Sequence, residues 1–180
     1  MENDIFLRPL ELADINDSYC GWYVNKDQHL DYFSGSGKFF DQNSLIKDFN
    51  DGLRSSRWFY YLISSADGVP IGNIKIGPID QLNKTSDMVC LVGDRRFLGK
   101  GVATKAISKA IALAFGKYDV RRLQTGMYAS NVGSIKAYTR AGWSIEATFK
   151  GFYLLNGVSE DRVCVCCLNP HYFNSEESGN

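Results

Sequence analysis

The segment Leu91-Val-Gly-Asp-Arg-Arg-Phe-Leu-Gly-Lys-Gly-Val-Ala-Thr104 joins two different hydrophobic patterns. Upstream, Met88-Val-Cys-Leu-Val92 is short, apolar and β-branched, which predicts a strand. Downstream, Val102, Ala103, Ala106, Ile107, Ala110, Ile111, Ala114 and Phe115 recur at spacings of three and four. That predicts a helix over 102–115, with Gly116 at its C-terminal end. A strand that runs through glycines into a helix aims several backbone N–H groups and a positive helix end at one point. Gly99 and Gly101 let an anion approach that backbone closely. The residues alone therefore predict a phosphate or pyrophosphate site, with a plain glycine turn as the alternative. Two nucleotide loops fail on spacing: Gly99-Lys-Gly101 is followed by Val102-Ala-Thr104, so neither Gly-x-x-x-x-Gly-Lys-Ser/Thr nor Gly-x-Gly-x-x-Gly is present.

Outward from this segment the patterns alternate. On the N-terminal side, strands are predicted at 5–10, 58–64 and 71–76, with a weak amphipathic helix over 11–26. A second helix carries Leu45, Ile46, Phe49 and Leu53, with Asp41 as its N-cap. On the C-terminal side, strands at 123–127, 143–149 and 162–168 flank a helix over 134–141 that Gly142 stops. Asn156-Gly157 marks a hairpin turn. Ser34-Gly-Ser-Gly37 reads as a loop, and the loops near 30–40, 78–86 and 150–160 are the expected acceptor-determining segments. Antiparallel strands followed by strand–helix–strand–helix–strand predict an α/β fold, a mixed and mostly antiparallel central sheet flanked by helices. Residues 1–180 form one domain in this reading, with its core over about 5–168 and a frayed polar tail at 174–180.

Composition excludes several classes of function. The 180 residues carry 20 Lys plus Arg against 20 Asp plus Glu, so no global charge draws the chain to nucleic acid or to an anionic membrane. No apolar run approaches the roughly 18 residues of a membrane helix, and Met1-Glu-Asn-Asp lacks the features of a signal peptide, so the expected location is the cytoplasm. Five cysteines and two histidines predict neither a disulfide scaffold nor a metal centre. Cys164, Cys166 and Cys167 read as small residues of a core strand. No Gly-x-Ser-x-Gly elbow is present for a hydrolase triad.

Two blocks together carry a family resemblance. Arg96-Phe-Leu-Gly99-Lys-Gly101 resembles the Arg/Gln-x-x-Gly-x-Gly/Ala motif of the GCN5-related N-acetyltransferases (GNAT). Asn131-Val-Gly-Ser134-Ile-Lys-Ala-Tyr138-Thr-Arg-Ala-Gly142-Trp143 is similar to that family's Asn-x-x-(Ser/Ala)-Ile-x-x-Tyr-x-x-x-Gly-Phe signature. Within the family the chain looks most like the RimJ/RimL-like branch, through Ile71-Gly-Asn-Ile-Lys-Ile76, Gly93-Asp94-Arg95 and Asn156-Gly157 with Asp161-Arg162. The resemblance implies a GNAT fold and direct transfer of an acetyl group from acetyl-CoA, the co-substrate, to a primary amine. It implies no metal.

The roles it implies fall on named positions. Arg96, Phe97, Leu98, Gly99, Lys100, Gly101 and Val102 form the pyrophosphate loop. Leu91 and its strand neighbours bind the pantetheine amides through backbone groups, as an added strand would. Asn131 contacts the cofactor near the pantetheine arm, and also suits an N-cap. Tyr138, seven residues on, is the general acid that protonates the thiolate; packing of its helix on the sheet is the alternative. An ordinary phenol near 10 would then give an alkaline fall in rate. Asp87 is the candidate base, with Glu160 and Asp161 as rivals. For the acceptor, Tyr32, Phe33, Phe39, Phe40 and the acidic stretch 80–87 suggest an amino sugar, a nucleotide-linked one among the candidates. A protein N-terminus of ribosomal type and a non-catalytic acyl-CoA-binding domain are the alternatives. The partner is a small-molecule amine, and an exposed sheet edge would admit a homodimer.

Overall fold

In the structure, a computed structural model, residues 4–24, 32 and 40–173 are described. Phe33, Phe39, the Ser34-Gly-Ser-Gly37 loop and the tail at 174–180 lie outside them. The chain runs β1 (Ile5–Pro9), α1 (Asp17–Gly21), α2 (Gln42–Ser55), β2 (Phe59–Ser65), β3 (Pro70–Asp80), β4 (Thr85–Val92), α3 (Val102–Gly116), β5 (Arg122–Tyr128), α4 (Val132–Arg140), β6 (Ser144–Leu155), β7 (Val158–Leu168) and α5 (Pro170–Phe173). The seven strands form one sheet in the order β1-β2-β3-β4-β5-β7-β6. Every pair is antiparallel except β4 with β5.

Local chemistry explains most boundaries. The Asp41 carboxylate accepts from the Ser44 amide and starts α2. At the β6–β7 turn Asn156 and Gly157 take φ of 51° and 80°, the left-handed pair that a two-residue hairpin needs. The helix expected over 11–26 is broken instead. Leu12–Asp14 makes a single 3-10 turn, and Asn16 then accepts from the Tyr19 amide to begin α1 afresh. The acidic stretch 80–87 is also not a loop. β3 continues past Pro78 through a register shift between Ile76 and Ile79. The Asp80 carboxylate then accepts from the amides of Leu82 and Asn83, closing a tight turn into β4.

The helices cover the sheet unequally. α3 and α4 lie on one face, where Ile107, Ala110, Ala114 and Tyr138 meet Ile74, Ile76, Met88, Leu123 and Val165. Each large aliphatic side chain buried there contributes roughly 1.5–3 kcal/mol. α1 and α2 cover the other face, where Tyr19, Trp22, Leu45 and Phe49 pack on Leu62, and Leu91 joins them.

The β4–β5 pair positions the site. Thr85, Ser86 and Asp87 are opposite Arg122, Leu123 and Gln124, and there the pairing stops. Beyond Asp87 the two parallel strands diverge, which leaves backbone groups of β4 unpaired in the middle of a sheet.

Candidate functional site

A cleft of about 470 Å³ occupies the gap between the diverging strands. β4 supplies one wall from Val89 to Val92 and β5 the other from Thr125 to Tyr128; the loop before α3 and the start of α4 close its ends. Asn131, Tyr138, Leu91, Phe97, Leu98, Gly99, Gly101 and Val102 all line it, so the spacing motifs of two separate segments meet at one place.

The loop end is built to take an anion. Gly99 and Gly101 have φ of +71° and +76°, and a Cβ at either would meet nothing within 4 Å. Among the described residues no partner takes the amide hydrogens of Gly99 to Thr104; the first bonded one is Lys105, to the Gly101 carbonyl. Six free donors at the head of a 15-residue helix make a strong anion seat. Asp94 organises the approach: its carboxylate accepts from the Arg96 amide and grips the Arg96 guanidinium at 2.6 Å. That ion pair holds the Asp94 carboxyl below its ordinary range. It also keeps Arg96 out of the cleft wall. Lys100 stands 5.8 Å from the Phe97 ring and is likewise not part of the wall.

In β4 the alternation corrects one expectation. The Leu91 carbonyl lies only 2.0 Å from where a Gly72 Cβ would stand, so Leu91 turns its backbone to β3. By strand alternation, Met88, Cys90 and Val92 are the residues whose N–H and C=O point into the cleft. Leu91 lines the cleft without offering it these groups, and the strand neighbours Cys90 and Val92 offer them instead.

Tyr138 crosses the gap. Its hydroxyl donates to the Met88 carbonyl at 3.0 Å, and its ring meets Trp143 edge-on at 4.9 Å. Burial pushes the phenol well above its ordinary value; the Cys90 thiol beside it adds to that, and the Cys90 amide opposes it. The side chain therefore keeps its proton at any physiological pH. Cys90, half-buried in the cleft wall, has its thiol pushed up to about 12 by desolvation, which makes it a poor nucleophile. Asn131 caps α4, its side-chain oxygen accepting from the Ser134 amide at 3.1 Å, which leaves its NH2 free to face the cleft.

Asp87 sits in the last paired position at the closed end, two residues short of the wall at Val89. Its neighbours Ser86 and Met88 are buried, so its carboxylate projects from the α1–α2 face. The rival carboxylates are engaged elsewhere: Glu160 accepts from the Ser130 amide, and Asp161 pairs with Lys150.

Tyr32, named in the sequence reading, lines the far side together with residues that the reading passed over. Tyr128 stacks on Tyr153 at 4.1 Å, and Tyr32 lies 5.9 Å from Tyr128. Gly126 lies between Thr125 and Met127 in the wall. Only the point where β5 leaves β4 brings these positions into the cleft, and no local pattern marks that point. Among the described wall residues the charged ones are Lys136 and Arg140, both on α4, and none is acidic. No group of three or more His, Cys, Asp or Glu among the described residues could hold a metal ion. No helix there is long and apolar enough to cross a membrane.

Comparison with known proteins agrees with this geometry. Residues 4–144 match the acetyltransferase (GNAT) domain family. The chain is 24% identical over 175 residues to a protein of Bacillus subtilis (strain 168) named "Probable N-acetyltransferase YjcK", covering 92% of this chain and 94% of that one. It is 23% identical over 171 residues to the spermidine N(1)-acetyltransferase of Escherichia coli (strain K12), covering 94% and 89%. Among solved structures, the spermidine N-acetyltransferase of Vibrio cholerae in complex with CoA and spermine superposes with a TM-score of 0.79 at 17% identity, covering 94% of this chain and 98% of that one.

Proposed function

The chain belongs to the GNAT acetyltransferase family and is an acetyl-CoA-dependent N-acetyltransferase, and from that premise we propose that the cleft between β4 and β5 transfers the acetyl group to the primary amine of an amino sugar, with Tyr138 as general acid. One observation carries the reading. A protonated phenol, the unpaired edge of β4 and a loop of free amides line one cleft in the order that a thioester, its pantetheine arm and its pyrophosphate would need.

Each part has a task. The amides of Gly99 to Thr104 take the pyrophosphate. The edge of β4 at Cys90 and Val92 takes the pantetheine amides as a third strand would. The free Asn131 NH2 bonds the arm from the opposite wall. The acceptor arrives as its ammonium, and once it is neutral it attacks the thioester carbonyl; a C–N bond forms and the C–S bond breaks. Tyr138 gives its proton to the departing thiolate. Asp87, on the face away from α3, takes the proton that the ammonium must shed before it attacks. If so, Asp87→Asn lowers kcat/KM about 10²-fold at pH 7 and recovers as the pH rises past the amine's own pKa, where no base is needed. A loss that persists at high pH assigns Asp87 to structure.

Two observations support a sugar as acceptor: the resemblance to the RimJ/RimL-like branch, and the aromatic side of the cleft at Tyr32, Tyr128 and Tyr153, which suits the apolar face of a sugar ring. The names of the relatives favour a polyamine as the second reading. A linear polycation calls for carboxylates, and the described walls have none. Competition among a nucleotide-linked amino sugar, spermidine and a basic peptide, each with acetyl-CoA in one reaction, tests the choice. The sugar product should dominate. Predominant acetylspermidine or acetylated peptide removes the sugar reading and leaves the transferase standing.

A further inference from the structure

Among the described residues Arg162 is a cation without a counterion. It projects from β7 on the same face as Cys164 and Cys166, opposite Val163 and Val165, which pack under α3 and α4. Its Nε is shut off from solvent and has no hydrogen-bond partner, and no carboxylate pairs with it among the described residues. The acids beside it in sequence are committed to the Ser130 amide and to Lys150. The guanidinium instead rests on backbone and rings. A Cβ at Gly126 would lie 2.0 Å from its Nε, so only glycine leaves room there. Its charge stands 4.9 Å from the Phe152 ring, and it draws down the Tyr153 phenol, which burial raises.

This places a fixed positive charge beside the acceptor. The loop before α3 lies on the α3 side of the sheet, so the cofactor enters from there, and the amine must reach the thioester from the opposite face. On that face Gly126, Tyr128 and Tyr153 line the cleft, and all three adjoin Arg162. A guanidinium whose Nε is sealed from solvent without an acceptor costs free energy unless a ligand completes it. Its planar fork matches carboxylate and phosphate oxygens. A polycationic amine would instead be repelled.

We propose that Arg162 binds an anionic oxygen group, a carboxylate or a phosphate, carried by the acceptor, and so determines which amines the enzyme takes. The proposal rests on the acetyltransferase reading of the cleft and adds to it the charge of the substrate.

Matched amine pairs test it by thiol release from acetyl-CoA. Glucosamine 6-phosphate and glucosamine differ by a phosphate; L-methionine and L-methioninamide differ by a carboxylate; spermidine serves as the cationic probe. The wild-type enzyme should favour the member of one pair that carries the anionic group by about 10–100-fold in kcat/KM, the worth of a charge-assisted hydrogen bond. The pair that shows it identifies the anion. Arg162→Gln should bring that ratio close to one, and Arg162→Lys, which keeps the charge without the fork, should restore part of it. Gly126→Ala, by displacing the guanidinium, should lower the ratio too. A loss shared equally by both members of the pair marks Arg162 as a packing residue and overturns the proposal. So does a wild-type enzyme that ignores the anion in both pairs or prefers spermidine to all four amines; the transferase then stands with a different acceptor. If acetyl-CoA binds but no amine, spermidine included, is acetylated, the transferase reading falls and the proposal falls with it.

Discussion

Gly101→Val is expected to leave a folded protein that no longer binds acetyl-CoA. Gly101 has a φ of +76°, a region that a β-branched side chain adopts only under strain of about 1–3 kcal/mol. For a chain of this size that amounts to a fall in melting temperature of roughly 2–12 °C. The built Cβ meets no protein atom within 4 Å, so nothing adds a clash and the fold should survive. The new side chain enters the space in front of the free amides of Gly99 to Thr104. Losing even two charge-assisted bonds there weakens binding on the order of 10²–10⁴-fold. Titration calorimetry on the folded variant reads this directly. Gly101→Ala is the control for strain: it pays a similar backbone cost with far less bulk, so its affinity should lie between those of the wild type and the valine variant. Equal affinity in all three would remove the loop from the site and return Gly99 and Gly101 to a structural turn.

The sequence makes the elements of this site legible but not their assembly. Gly99, Gly101, Asn131 and Tyr138 are marked by spacing, and each lines the cleft. What holds them together is the divergence of β4 from β5 after Asp87, a tertiary event with no periodicity of its own. Residues on the β5 side therefore escape a reading of the chain: Gly126 looks like a break in a strand, Tyr128 like its end, and Arg162 like the polar half of an alternating pair. The same gap explains why the reading named Leu91 for the backbone groups that β4 turns to the cleft. Which residues of β4 face the cleft depends on which ones β3 has already paired, and Gly72 opposite Leu91 decides that. The acidic run at 80–87 misleads for a simpler reason. Asp80 spends its oxygens on the amides of its own turn, as a short acid near a chain reversal does by default.

Tyr138→Phe separates catalysis from packing, and the structure sets the size of both effects. The hydroxyl is not idle in the fold: it donates to the Met88 carbonyl, which has no strand partner once β5 has turned away. Removing it leaves a buried acceptor unsatisfied, at a cost of about 1–3 kcal/mol, so the variant should melt a few degrees lower. Acetyl-CoA should bind nearly as before, because the anion seat and the free edge at Val92 are untouched. The loss in kcat should be far larger, on the order of 10²–10⁴-fold, the usual contribution of a positioned acid. A tyrosine that only packs would show the melting shift with full turnover. The pH profile adds an independent reading. An unperturbed phenol would make the rate fall near pH 10. Burial and the neighbouring Cys90 thiol raise Tyr138 above that value, so the proton is held to higher pH in the folded enzyme. The wild-type rate should therefore stay flat through pH 10, where an exposed acid would already be failing. A fall in the wild type at or below pH 10 that the phenylalanine variant lacks would show the phenol titrating while the enzyme works, and would place it in solvent during turnover. Wild-type turnover by the variant at saturating substrates would take the role of acid from Tyr138 and leave it the one it fills in the resting fold, a hydroxyl that closes the carbonyl where two strands part.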